Sequence, residues 1–254
     1  MPVYSSEALV LRTYKYGEAD RIVVFLTEDR GKKRGVAKHA SASRRRFGAA
    51  LEPLTRGRAT YMEREQRELV RLDRGEPHDT PMAAASGREA GDAASVLGHA
   101  SYFAELLDEW SPDASPNERL FRLGAAVGTA LARPGSVGAL ARYFEYWLLR
   151  LEGVYPAIDR CPRCGQGLDG EAVLVAAERA YFCGRCARAG DRVSGAALGF
   201  LRRLGTRTPA DVVEGGAPAG VLRDLERAHA RLIALHLDRT PRSARVVKEL
   251  GHYS

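Results

Sequence analysis

Glu7-Ala-Leu-Val-Leu-Arg-Thr-Tyr14 and Arg21-Ile-Val-Val-Phe-Leu-Thr27 flank a short glycine-bearing stretch, Gly17-Glu-Ala-Asp20. Both runs are rich in β-branched and apolar residues, are of strand length, and meet at a turn signal. Three more runs repeat the pattern, Gly35 to Lys38, Leu51 to Tyr61 and Glu68 to Leu72. They are punctuated by Asp29-Arg30-Gly31, a Ser/Ala/Arg stretch and Gly75-Glu76-Pro77. Five short strands within residues 1–80 predict a small Greek-key barrel of the OB type; an SH3-like barrel would give the same pattern.

Beyond the barrel, residues 77–95 are rich in Pro, Ala, Ser and Gly and read as a linker. The apolar period then changes to helical. Val96, Ala100, Phe103, Leu107 and Trp110 form one stripe, Leu120, Leu123, Val127 and Leu131 a second, and Leu140, Phe144, Trp147 and Leu151 a third. Ser111-Pro112 and Arg133-Pro134-Gly135 break them. Helical patterning returns at Leu198 to Leu204, Val221 to Leu237 and Ala244 to Leu250.

Between the two helical sets, Cys161-Pro-Arg-Cys164 and Cys183-Gly-Arg-Cys186 form a C-x2-C-x18-C-x2-C pattern within the spacing of tetrathiolate zinc sites. Each pair suits a tight knuckle, Gly165 suits the left-handed turn, and Val173 to Ala176 with Tyr181-Phe182 suit a hairpin joining the knuckles. An all-cysteine site leaves no open coordination position, so a zinc ion there would be structural. A regulatory dithiol and a site without a ligand are the alternatives. The surrounding Arg160, Arg163, Arg179, Arg185, Arg188 and Arg192 read as a solvated surface ahead of a DNA contact.

The expected fold class is therefore α+β and multidomain, with an OB-fold β-barrel, a helical body and an inserted four-cysteine zinc ribbon. The divisions fall at 1–80 for the barrel, 81–158 for a helical domain, 159–192 for the ribbon and 193–254 for C-terminal helices packing with the helical domain.

Of 254 residues, 45% are apolar and 28% charged, which excludes a wholly disordered, collagen-like or coiled-coil chain. The net charge of +7 makes a polyanion a sensible partner. The excess is concentrated: Arg30 to Leu51 contains no acid but carries Arg30, Lys32, Lys33, Arg34, Lys38, Arg44, Arg45 and Arg46. Such a run repels itself unless something negative lies against it, and phosphate binding needs several cations on one face. These eight residues are the candidate DNA contacts, with Phe47 as a base-stacking side chain; Tyr14, Tyr16, Phe25 and Tyr61 also alternate with the basic residues.

Nothing in the sequence asks for catalysis. Gly31-Lys32-Lys33 lacks the leading glycine and the hydroxyl residue of a P-loop, and the zinc-protease, nucleophile-elbow and dinucleotide motifs are missing. His229 and His236 share a helix face at a spacing that marks packing or a solvent stripe more often than a metal pair. No window approaches about 18 uncharged apolar residues, and Met1 to Ser6 has no secretory character, so no membrane is expected and the location is cytoplasmic.

Taken in order, Glu7 to Tyr14, Gly17 to Arg21, Thr27, Gly31-Lys32, Val36-Ala-Lys38, Phe47, Leu51-Glu-Pro-Leu54, Gly153-Val-Tyr-Pro156 and Cys161 to Gly165 resemble the RecO recombination-mediator and DNA-repair family. The resemblance implies a non-enzymatic, nucleoid-associated protein that binds single- and double-stranded DNA and anneals complementary strands. It also implies partnership with RecR, help in loading RecA onto strands coated by single-stranded-DNA-binding protein (SSB), and docking of the SSB C-terminal tail. Arg119, Arg122 and Arg142, beside the apolar helices, are cations of the sort such a tail would need. Some members lack the cysteines, which implies a fold-stapling zinc. Two rivals come from other classes. One is a zinc-ribbon adaptor or transcription-associated protein whose basic loop recruits an acidic partner, and the other is a nuclease without a familiar motif.

Overall fold

Alternating burial builds the N-terminal barrel. The computed structural model describes residues 2–43, 46–63 and 68–250. Five strands, β1 (Val3–Tyr16), β2 (Asp20–Thr27), β3 (Gly31–Ala37), β4 (Arg56–Met62) and β5 (Leu69–Asp79), close into a ring in the order β1-β2-β3-β5-β4. β3 and β5 run parallel; the other pairs, including the closing β1–β4 pair, are antiparallel. This is the OB arrangement. The bore is filled by Ala8, Val10, Val23, Phe25, Phe47, Tyr61, Val70 and Leu72, with Phe25 edge-on to Tyr61 at 5.5 Å.

The outward side chains of β1 are apolar as well, with Leu9 and Leu11 both buried. They are covered by α2 (Ala90–Trp110) and α3 (Glu118–Leu131), which follow the short α1 (Pro81–Ala85). The stretch read as a linker is thus largely structured: β5 continues through Gly75-Glu76-Pro77, and Ala-rich helices begin soon after. Pro77 is tolerated because it lies at a register irregularity opposite Gly57. Leu51 to Thr55, expected in a strand, instead form a turn whose Leu54 is buried.

Contacts divide the chain into a unit running to Arg133 together with the segment from Pro241, and a second unit, Pro134–Thr240. The first three helices therefore belong with the barrel, where the sequence pattern places a boundary near residue 80; the apolar outer side of β1 is the reason.

In the second unit, α4 (Val137–Leu151) precedes a three-stranded sheet of β6 (Ala172–Val175), β7 (Ala180–Cys183) and β8 (Asp191–Val193), in the order β7-β6-β8. Then come α5 (Gly195–Leu204), α6 (Pro209–Gly215) and α7 (Ala219–Leu237). α4 packs on α6 and α7. A buried polar chain runs through this unit: Arg142 lies 2.7 Å from Glu145, Glu145 2.9 Å from His229 Nδ1, and Tyr155 Oη 2.8 Å from His229 Nε2. The last helix, α8 (Arg242–Leu250), packs on α2 within the first unit.

Candidate nucleic-acid interface and metal centre

β3 carries the densest cations, and its alternation separates them. Lys33 pairs with the core residue Phe25, and Lys32 with Leu26, so the two lysines leave opposite sides of the strand. Lys32 is buried. Its ammonium lies 2.7 Å from the Asp108 carbonyl, 3.1 Å from the Asp108 carboxylate and 3.5 Å from Asp113. Lys33 donates to Glu63 at 2.7 Å. Both lysines, expected to face DNA, are engaged by acids of the fold, because a buried ammonium needs a counter-charge. The segment bearing Asp113 fits closely. The amide of Ala114 donates to the Lys32 carbonyl at 3.0 Å, and Gly31, at φ +69°, has no room for a Cβ, which would lie 2.3 Å from the Ser115 carbonyl oxygen.

Phe47 is corrected too. It is 1% exposed in the barrel core, so its ring is unavailable for stacking. The turn that carries it folds over the barrel, with Gly75 N donating to the Arg46 carbonyl at 3.0 Å. Phe25 and Tyr61 are equally buried. Arg46 is partly buried, bonds Ser43 Oγ at 3.1 Å and lies over the Phe47 ring. Arg30 stacks on Tyr4 at 3.8 Å. Arg44 and Arg45 lie outside the described residues.

The remaining cations gather elsewhere. Arg34 and Lys38 are exposed; among the described residues, Arg34 meets an acid only through a long contact of 3.9 Å to the exposed Asp113. Register places Tyr14 beside Ile22, Ile22 beside Val36, and Val36 beside Arg71, and cross-strand partners point to one face. Tyr14 and Tyr16 are 47% and 50% exposed, so among the described residues the exposed aromatic side chains are these two and not the core rings. Their signal in the sequence is an i, i+2 tyrosine pair at the end of a strand. Arg142, raised by the resemblance as a tail-binding cation, is buried against Glu145, whereas Arg119 and Arg122 are exposed.

The four cysteines converge. Their sulfurs all lie within 4.8 Å of one another, and Cys164 Sγ is 3.7 Å from Cys183 Sγ. Four thiolates held at about 2.3 Å in a tetrahedron stand roughly 3.8 Å apart, so the donor set fits zinc. The knuckles form as expected: Gly165 takes φ +73° and donates to the Cys161 carbonyl at 2.9 Å. β6 and β7 form the anticipated hairpin; β8 adds a third strand. Burial pushes the Cys161 thiol up, but backbone N–H groups of Cys183, Arg163 and Cys164 outweigh it and bring the pKa to about 6. Cys186 is pushed up to about 12 by hydrogen bonding to Cys164 and by burial. Four thiolates in one place require a cation, a demand that a structural zinc ion would meet.

A closed OB barrel joined to helices and a tetracysteine ribbon defines a class of protein suited to handling nucleic acid; no described helix is long and apolar enough to cross a membrane. The family model "Recombination protein O N terminal" matches residues 1–81 and "Recombination protein O C terminal" matches residues 93–245. The chain is 38% identical to the DNA repair protein RecO of Koribacter versatilis over 92% of this chain and 93% of that protein. It is 37% identical to DNA repair protein RecO of Anaeromyxobacter dehalogenans strain 2CP-C over 96% and 95%, and 35% identical to that of Geobacter sulfurreducens over 84% and 86%. The chain belongs to the RecO family of DNA repair proteins.

Proposed function

We propose that the protein is a recombination mediator that binds single- and double-stranded DNA and anneals complementary strands, and that with RecR it helps load RecA on SSB-coated DNA. It acts by screening phosphate repulsion, with no chemical step. Arg30, Arg34, Lys38, Arg44, Arg45 and Arg46 supply the positive charge, while Lys32 and Lys33 hold β3 in place. The tetracysteine centre takes zinc as a staple of the ribbon. SSB-tail docking through exposed helix cations such as Arg119 and Arg122 belongs to the same reading, as does a cytoplasmic, nucleoid-associated location.

The observation that carries this reading is the exposure of Arg34 and Lys38 within the acid-free segment, with no tight acidic partner at either among the described residues. If about six phosphates are neutralised, log affinity for duplex falls against log salt with a slope on the order of −5. Arg34→Glu with Lys38→Glu should bring that slope nearer zero by about two and slow annealing, with melting and zinc content unchanged. An unaltered slope would refute the placement. Annealing assays with SSB-coated strands, with and without RecR, test the mediator role.

A further inference from the structure

The loop between α2 and α3, residues 111–117, brings an acid to the cations of β3. It is held at both ends. The amide of Ser111 donates to the Leu107 carbonyl at 2.9 Å and closes α2, and Asn117 Oδ1 accepts from the amide of Leu120 at 3.1 Å and opens α3. Pro112 and Pro116 fix two backbone angles between those ends. The middle of the loop continues the sheet. β5 pairs with β3 from Arg34 to Ala37, and Asp113 forms a parallel bridge to β3 at Lys32, next to the Ala114 amide that donates to the Lys32 carbonyl. Ala114 takes φ +54°, a left-handed conformation unfavourable for a residue with a Cβ, so the seat of the loop is specified by its contacts.

The carboxylate thus held stands between two cations in different surroundings. Lys32 Nζ is buried, lies 3.5 Å away, and keeps Asp108 at 3.1 Å. Arg34 lies 3.9 Å away, with 54% of its side chain exposed against 67% for Asp113. Lys32 and Arg34 are two residues apart on β3 and leave the same side of it. A phosphate approaching Arg34 therefore meets a like charge already beside the guanidinium. It can displace that charge, because a pair so long and so exposed contributes little. The displaced carboxylate is open to water and still has Lys32 beside it, so it is not stranded.

We infer that Asp113 is an internal competitor for the phosphates of a bound strand: its carboxylate takes Arg34 in the free protein, yields it to DNA, and recovers it when the strand leaves. The inference rests on the phosphate-binding role proposed above for Arg34. It gives the α2–α3 loop a task that charge screening by itself does not contain. Asp113 acts through Arg34 and needs no contact with DNA, so it is a positioning residue that lowers affinity. Its charge opposes phosphate and not base, and single strands and duplex are affected alike.

Fluorescence anisotropy on the full chain, with oligothymidylate and a duplex as probes, tests this. Asp113→Asn is expected to tighten binding of both about two- to fivefold and to steepen the salt slope by about one at most. Damage to the fold would weaken binding, so a gain cannot arise from it. Melting should change little, since Lys32 keeps Asp108, and Asp113→Ala should repeat the gain. Two comparisons make the claim specific. Glu171→Gln, in the ribbon, removes a carboxylate 2.8 Å from Arg192 and so changes the net charge by the same unit; it should leave affinity nearly unchanged. In an Arg34→Gln background, Asp113→Asn should give no gain, because contacting residues are coupled and the effect runs through the guanidinium.

An equal gain from Glu171→Gln, a gain that survives the loss of Arg34, or a gain on one probe alone overturns the inference. So does an unchanged or weakened affinity in both Asp113 variants. In that case Arg34→Gln alone separates the two readings. If it weakens binding to both probes, phosphate screening stands without Asp113; if it does not, both fall.

Discussion

His229 Nδ1 lies 2.9 Å from a carboxylate oxygen of Glu145, and both side chains are buried. Glu145 accepts only, so Nδ1 carries the proton and Nε2 accepts from the Tyr155 hydroxyl at 2.8 Å. Arg142 balances the carboxylate at 2.7 Å. Each of the four groups bonds at least one of the others, in a region where an unpaired member would be costly. The histidine that looks, by spacing, like one half of a surface pair is a hub of the second unit.

Removing one member of this chain strands the others. His229→Leu is expected to cost about 3–5 kcal/mol of stability. Burial holds the His229 pKa below its ordinary value despite the opposing pull of Glu145. The unfolded state thus takes up a proton before the folded one does as pH falls through about 6.5. Stability is whole above that value and declines below it until the folded pKa is reached. Melting temperatures measured from neutral to mildly acidic pH should show this limb, and His229→Gln should lack it.

Glu105 of α2 terminates the exposed end of α8. Its carboxylate accepts the amide of Arg242 at 3.1 Å and of Ser243 at 2.7 Å, and also the Ser243 hydroxyl. These are the N–H groups a helix start leaves unpaired. Glu105→Ala should therefore cost about 0.5–2 kcal/mol and raise hydrogen exchange selectively across 242–250. Burial alone would raise the Glu105 pKa, but the donors from Ser243 and Arg242 outweigh it and lower it. The cap is therefore fully present above about 4.3 and is lost as pH falls through the folded value.

What can be read in advance follows periodicity and spacing. β2 reads as an unbroken apolar run because both its sides are covered, Val23 and Phe25 in the bore and Val24 and Leu26 also buried. The cysteine spacing leads directly to the converging sulfurs. α6 escapes the periodicity reading although Thr208-Pro209-Ala-Asp211 announces it; the structure closes that capping box. The fate of the cations is not legible, because composition counts charges without assigning partners. Asp108 is 76 residues from Lys32, and Glu63 is 30 from Lys33. Phe47 misleads for the same reason: its neighbours in sequence are arginines, and its neighbours in space are the barrel core.

Stripping metal should act locally. The ribbon is tied to α5 by Arg202, which donates to the carbonyls of Ile158 at 2.9 Å and Leu168 at 2.8 Å. Chelation, or Cys183→Ser, is expected to remove one zinc per chain and to expose β6 and β7 to exchange and proteolysis. The α4–α7 core and the barrel strands should keep their protection. Metal analysis beside exchange mapping checks this, and a chain that holds zinc after loss of Cys183 would contradict a four-cysteine centre.

Lys32 and Arg34 stand two residues apart on one side of β3, yet their substitution should give opposite results. Lys32 is 8% exposed at its side chain and bound to Asp108, so Lys32→Met removes a partner of a partly buried carboxylate. Asp108 keeps Arg12 at 2.7 Å, which places the loss near about 3 kcal/mol. Once folded, that variant should bind DNA with an unaltered salt slope, because the lost charge never faced solvent. Arg34→Glu should leave melting in place and flatten the slope, because its guanidinium is 54% exposed. Denaturation curves and salt titrations on both variants settle the assignment. A Lys32→Met protein that melts like the parent but binds with a flatter slope would return the buried lysine to the DNA surface.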